Sequence, residues 1–128
     1  MLDEFQTNGR ISRPVLGLSS VIPISGEWAQ ALDLPGEGGL LIQEVESGSP
    51  ADRAGLRGAR RLVYLGNYAV GIGGDLIVAV DRDPARAPED LQRALNRKRA
   101  GDVMELTIYR GGRTMKVKIT LGAASDDL

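Results

Sequence analysis

The sequence predicts an α+β fold: a partly open antiparallel β-barrel or sandwich with two helices capping its openings, plus one inserted hairpin. Three observations lead there. Short apolar runs with strand character recur between residues 17 and 121, separated by Gly, Pro and Asp turns. Residues 88–99 carry the apolar spacing and the end charges of a longer helix. Twice, two such runs flank a tight connection containing glycine, the pattern of an antiparallel hairpin.

Residues 1–12 read as a linker or flexible terminus and 123–128 as a flexible tail, which leaves 13–122 as one domain. The first strand is expected over 17–22. A short helix is expected over 26–34, with Trp28, Ala31 and Leu32 as its apolar side. A turn at 35–39 leads into a strand over 40–46. Ser49 then suits an N-cap, Pro50 suits N1 because no N–H is needed there, and Asp52 stands at N3. Ala51 and Ala54 make one small apolar face, Gly55 can take the left-handed C′ position, and Leu56 closes the end. So short a helix needs tertiary packing to persist.

Residues 59–73 read as a hairpin closed by Gly66-Asn67 in a II′-type turn. Residues 76–80 form a buried strand and 81–84 a turn. The long helix over 88–99 has Pro88 at N1, Glu89 and Asp90 at its positive end, and Arg97-Lys98-Arg99 at its negative end. Leu91, Ala94, Leu95 and the Lys98 stem share one face. Gly101-Asp102 ends the helix, and strands over 103–109 and 114–121 follow, joined through 110–113.

The charge balance, 16 basic against 17 acidic residues, gives no reason to expect nucleic acid or an anionic membrane as partner. Cysteine and histidine are both absent, which excludes disulfides, thiolate chemistry, Ser-His and Cys-His catalysis and imidazole metal sites. Gly71-Ile72-Gly73-Gly74 fails as a dinucleotide motif because Leu76 holds the last glycine's place. Neither G-x-S-x-G nor S-x-x-K supports a Ser-Lys dyad with Lys98, Lys116 or Lys118. Asp81 and Asp83 read as turn residues. The expectation is therefore no catalytic residue, no metal and no cofactor. No apolar run approaches the ~20 residues of a membrane span, so direct membrane insertion is not expected. No signal peptide is visible, and residues 1–8 read as the polar start of a piece of a longer protein.

The strand over 40–46, S-P-A-D-R-A-G-L at 49–56 and G-D-L-I-V-A-V-D at 74–81 together resemble a PDZ domain. More narrowly, they resemble the PDZ domain that follows the protease domain in bacterial HtrA-like (trypsin-like) serine proteases. The resemblance covers about residues 10–122. It implies a peptide-binding module rather than an enzyme. The parent would be a serine endopeptidase of bacterial periplasmic or cell-envelope quality control, with its triad upstream of this chain. The module's partners would be that protease domain and the C-termini or unfolded segments of substrates, which it recruits or whose binding it relays.

By position, Arg13-Pro14-Val15-Leu16-Gly17-Leu18 resembles the carboxylate-binding loop of the family. The residue types suit that chemistry: successive N–H groups in a concave turn can hold a carboxylate, and Gly17 lets the backbone turn and approach. Arg13 adds favourable charge, and Leu16 and Leu18 flank a pocket for the ligand's last side chain. The strand through Leu18, Ser19, Ser20 and Val21 would pair with the peptide by β-augmentation. The bland alternative is a strand start with an incidental glycine. On the long helix the groove-facing places fall on Pro88, Gln92 and Leu95, with Gln92 equally readable as a solvated residue. Many PDZ domains carry His at the first of these places and select Ser or Thr. With Pro88 there, selection by an apolar last residue is expected.

Two departures from the family stand out. The insertion over 59–73 reads as elaboration, as a lid near the groove, or as a partner surface. The strand ending at Asp81 is often followed by Gly, and Arg82 implies a different backbone shape there. Two other functions fit the same residues: a PDZ domain of another membrane protease or of a secretion component, or an oligomerising module whose groove is filled by its own hairpin or tail. Asp126-Asp127-Leu128, with an apolar end, resembles a PDZ ligand and could reach a neighbour's groove, a route to self-association through the tail.

Overall fold

A computed structural model of the chain describes residues 14–32, 34 and 38–123. The expected linker, Arg13 and the tail beyond Ala123 lie outside the described residues. The chain opens with β1 (Pro14–Val15), β2 (Leu18–Ile24) and α1 (Gly26–Ala31), then β3 (Gly39–Val45) and α2 (Pro50–Arg53). The hairpin β4 (Arg61–Leu65) and β5 (Tyr68–Ile72) follows, then β6 (Leu76–Val80), β7 (Asp83–Pro84) and α3 (Pro88–Asn96). It ends with β8 (Val103–Arg110), β9 (Arg113–Thr120) and β10 (Gly122–Ala123). Ala123, expected in the tail, instead pairs with Pro14.

The main sheet is antiparallel in the order β9-β8-β6-β3-β2, with β7 added to β6. Its central strands are apolar on both sides. Leu40, Ile42 and Ile77 point into one core with Leu91, Leu106 and Ile108. Leu41 and Leu76 point into a second core with Ile24, Ala29 and Val70. This explains why β3 and β6 read as continuous apolar runs rather than alternating ones. Two buried faces need two covers. The face toward Leu91 is closed by α2 and α3, and the other by α1 and the hairpin, whose Val63, Val70 and Ile72 pack against it. The Gln43 side chain fastens the hairpin to β3, donating to the Gly71 carbonyl and accepting from the Gly71 N–H, both at 2.8 Å.

The region around α2 folds as its residues dictate. The Asp52 N–H donates to Ser49 Oγ at 3.2 Å, and the Asp52 carboxylate accepts from the Gly48 N–H at 2.8 Å. Gly55 takes φ +92°, and Leu56, buried in the core, donates its N–H to the Ala51 carbonyl. Gly66 takes φ +65° in the expected hairpin turn.

Four expectations are corrected. β2 begins and ends later than residues 17–22 and runs through Pro23, which an edge strand tolerates. α1 stops at Ala31 and buries Ala29, while Trp28 is 39% exposed and Ala31 is exposed. A helix this short meets the sheet at one small residue, and Trp28 instead tilts against Tyr68 with ring centroids 5.8 Å apart. α3 ends at Asn96, and Lys98, beyond it, reaches Asp81 at 3.1 Å.

The turn after β6 is the fourth. Arg82 adopts φ +81°, in the left-handed region that glycine prefers, so the backbone shape is kept and a bulky residue bears the strain. Asp81, at φ +49°, locks it: its carboxylate accepts the Glu105 N–H at 3.0 Å, and its own N–H donates to the Glu105 carbonyl. Relieving about 1 to 2 kcal/mol of left-handed cost, less about 0.4 to 1 kcal/mol of added unfolded-chain entropy, Arg82→Gly is expected to stabilise the domain by about 0.5 to 1 kcal/mol. A urea midpoint rising at unchanged slope is the check.

Candidate functional site

β2 is the last strand of the main sheet, so one row of its N–H and C=O groups is left without a strand partner. That edge faces α3 across a groove of about 250 Å³. Leu16, Gly17, Leu18, Ser19, Ser20 and Val21 form one wall; Pro88, Leu91, Gln92 and Leu95 form the other. β2 bulges around Ser20, which interrupts its register with β3. Apolar side chains supply the floor, with Leu16 and Leu91 buried and Leu18, Val21 and Leu95 packed beside them.

The loop before β2 is built as a donor cradle. The Leu16 carbonyl accepts from the Ala51 N–H at 2.9 Å, and the Gly17 carbonyl from the Glu46 N–H at 2.8 Å. Both carbonyls are thus committed to the β3–α2 connection. Among the described residues, the N–H groups of Leu16 and Gly17 find no backbone acceptor. Gly17 stands at φ +97°, and a Cβ there would overlap the Ser49 side chain. The cap residue of α2 and the groove loop are therefore in direct contact. Among the described residues, no carboxylate lines the groove. The loop can accept an anionic group with an apolar side chain beside it.

α3 is held at its start by Asp90, which accepts the Arg86 N–H at 2.9 Å and the Ala87 N–H at 3.1 Å. These two donors, aided by Arg93, keep the Asp90 carboxyl below the usual carboxylate range. Pro88 at N1 fits beside them, and Leu91 fixes the helix on the core. Gln92 lines the groove and also donates to Asn96 one turn on, at 3.1 Å.

Most of the residues expected in the site are thus brought together. Val15 is not: it pairs with Gly122 in the small β1–β10 sheet and takes no part in the lining. Arg13 lies outside the described residues. Leu91 was expected only as core, yet it also floors the groove, and its helical spacing from Pro88 and Leu95 was the available signal. The hairpin contributes nothing to the lining, so it is neither the groove's lid nor its filling. A larger depression of about 500 Å³ lies between α1 and the hairpin, lined by Trp28 and Tyr68 among others.

A free sheet edge, a glycine-bearing donor loop and an opposing helix are the PDZ arrangement, and the sequence pattern of that domain matches residues 14–121. The chain belongs to the PDZ domain family. Among its relatives, a probable periplasmic serine endoprotease, DegP-like, of Rhizobium meliloti is 28% identical over 127 residues, covering 99% of this chain and 22% of the relative. The serine protease Do-like HtrA of Lactococcus lactis subsp. cremoris is 30% identical over 132 residues, covering all of this PDZ domain and 29% of the relative. The chain thus spans less than a third of either. Among solved structures, the HtrA3 PDZ domain bound to a phage-derived ligand superimposes with a TM-score of 0.63 at 22% identity, covering 88% of each chain. This PDZ domain is of the kind found in HtrA-type serine proteases.

Proposed function

We propose that this PDZ domain captures C-terminal or exposed hydrophobic segments as an added strand on β2, with the terminal carboxylate held by the Leu16-Gly17-Leu18 loop. The carrying observation is the groove itself: a strand edge without a strand partner ends at a loop whose Leu16 and Gly17 carbonyls are committed and whose Leu16 and Gly17 N–H groups, among the described residues, find no backbone acceptor. The apolar floor of Leu16, Leu18, Leu91 and Leu95 suits an apolar last residue. Pro88 offers no side-chain donor, so no preference for Ser or Thr is expected. The names of the relatives support a parent that is a serine endopeptidase of the bacterial periplasm or envelope. There the module recruits substrates or relays peptide binding to the protease domain.

Anisotropy titration with peptides ending in Leu, Val, Ile, Phe or Ala, as free acids and as amides, tests this. The apolar acids are expected to bind in the micromolar range and the amides at least about tenfold more weakly, since a charge-assisted contact to the loop is lost. Equal binding of acid and amide would instead indicate internal segments lying along β2. No binding of either would overturn the reading.

A further inference from the structure

β4 is bonded to β5 and, among the described residues, to no other strand, so its outer edge is open. In a hairpin closed by two residues, the pair flanking the turn is hydrogen-bonded and the bonding alternates from there. Arg61, Val63 and Leu65 therefore turn their N–H and C=O groups toward β5, and Leu62 and Tyr64 turn theirs to the open edge. The same two residues carry strongly exposed apolar side chains, Leu62 at 63% and Tyr64 at 74%. Tyr68, tilted on Trp28, steadies the turn end of the hairpin against α1, and Gln43 steadies its other end against β3.

The ends of the main sheet are guarded, and this edge is not. β2 carries Pro23 and faces α3. β9 carries Lys116 and Lys118 on either side of Val117, so two copies of it paired about Val117 would set lysine against lysine. β4 is R-L-V-Y-L, without proline and with a single charge at one end. Paired antiparallel with itself about Val63, it sets Leu62 against Tyr64 of the second copy, twice by symmetry, and each such pair exchanges both backbone bonds through the groups already turned outward. Arg61 comes opposite Leu65 of the second copy, so no two cations meet.

We propose that β4 is a self-association edge: two copies of this chain join β4 to β4 about a two-fold axis, and their hairpins form one continuous sheet. The groove lies apart from this contact and stays open in the dimer.

Sedimentation equilibrium of the 128-residue chain tests it. The unaltered protein is expected to show a reversible monomer–dimer equilibrium. The double variant L62K/Y64K sets lysine against lysine at both symmetric pairs and should weaken the dimer about tenfold or more. L62E/Y64E should do the same. Mixing the two variants should restore dimers, because every lysine then faces a glutamate. Both positions are exposed, and thermal melts of the variants should match the parent. A chain monomeric up to millimolar concentration would overturn the proposal. So would a dimer indifferent to the lysine variant, or a mixture of the two variants that stays monomeric. A dimer dispersed by a groove-binding peptide acid would place the contact at β2 and overturn it as well.

Discussion

Replacing Asp75 with alanine is expected to cost about 3 to 5 kcal/mol of folding stability, a large share of what a domain of this size possesses. Asp75 is 1% exposed and stands just before β6, the strand at the middle of the main sheet. Its two carboxylate oxygens accept from Arg110 Nε and Nη2, each at 2.7 Å, and Oδ2 also accepts the Arg57 N–H at 2.9 Å. Arg110 Nη2 also donates to the Gly55 carbonyl at 2.8 Å, at the end of α2. One bidentate pair therefore ties β6, β8 and the exit of α2 together. Removing the carboxylate leaves a guanidinium and a backbone N–H with nothing to replace it. The cost arises mainly from that uncompensated charge, so the double replacement Asp75→Leu with Arg110→Met should recover much of the loss. Urea unfolding of Asp75→Leu, Arg110→Met and the double variant, read as a double-mutant cycle, checks this. Additive losses would show that the pair does not act as a unit.

Gly17→Ala is expected to damage stability and binding together. A residue with a Cβ at φ +97° costs about 1 to 3 kcal/mol, and here that Cβ also runs into Ser49. Relief requires moving either the loop or the start of α2, where Ser49 caps the helix through the Asp52 N–H. A destabilisation of about 2 to 4 kcal/mol is expected, with binding of apolar peptide acids weakened at least about tenfold under conditions where the variant remains folded. Ser49→Gly, which removes the obstructing side chain, should restore part of the stability of the Gly17→Ala variant. Unchanged affinity of the folded variant for peptide acids would separate Gly17 from carboxylate capture.

The features legible in the sequence are those settled by close neighbours in the chain. The cap of α2, the left-handed Gly55 and the two-residue hairpin turn each depend on a few consecutive residues, and each appears as expected. Pro88, Gln92 and Leu95 were readable as one helical face, and they do share the groove. Less of the surrounding packing was legible. The burial of Ala29 instead of Trp28 depends on where α1 meets a sheet that its own sequence cannot reveal. The glycine-like φ of Arg82 is imposed by bonds from Asp81 to Glu105, 24 residues away.

Local patterning by itself determined the longer strands and the three helices, the PDZ motifs and the loop and helix that face each other across the groove, because turn chemistry and capping act within a few residues; the two-residue strands β1, β7 and β10 it did not reveal. Tertiary structure decided what those elements rest upon. It placed Arg110 on an Asp75 that lies 35 residues earlier, it put the hairpin over the second face of the sheet rather than over the groove, and it left the outer edge of β4 open. Each of these depends on which residues meet across long stretches of chain, where burial and charge compensation outweigh any local preference.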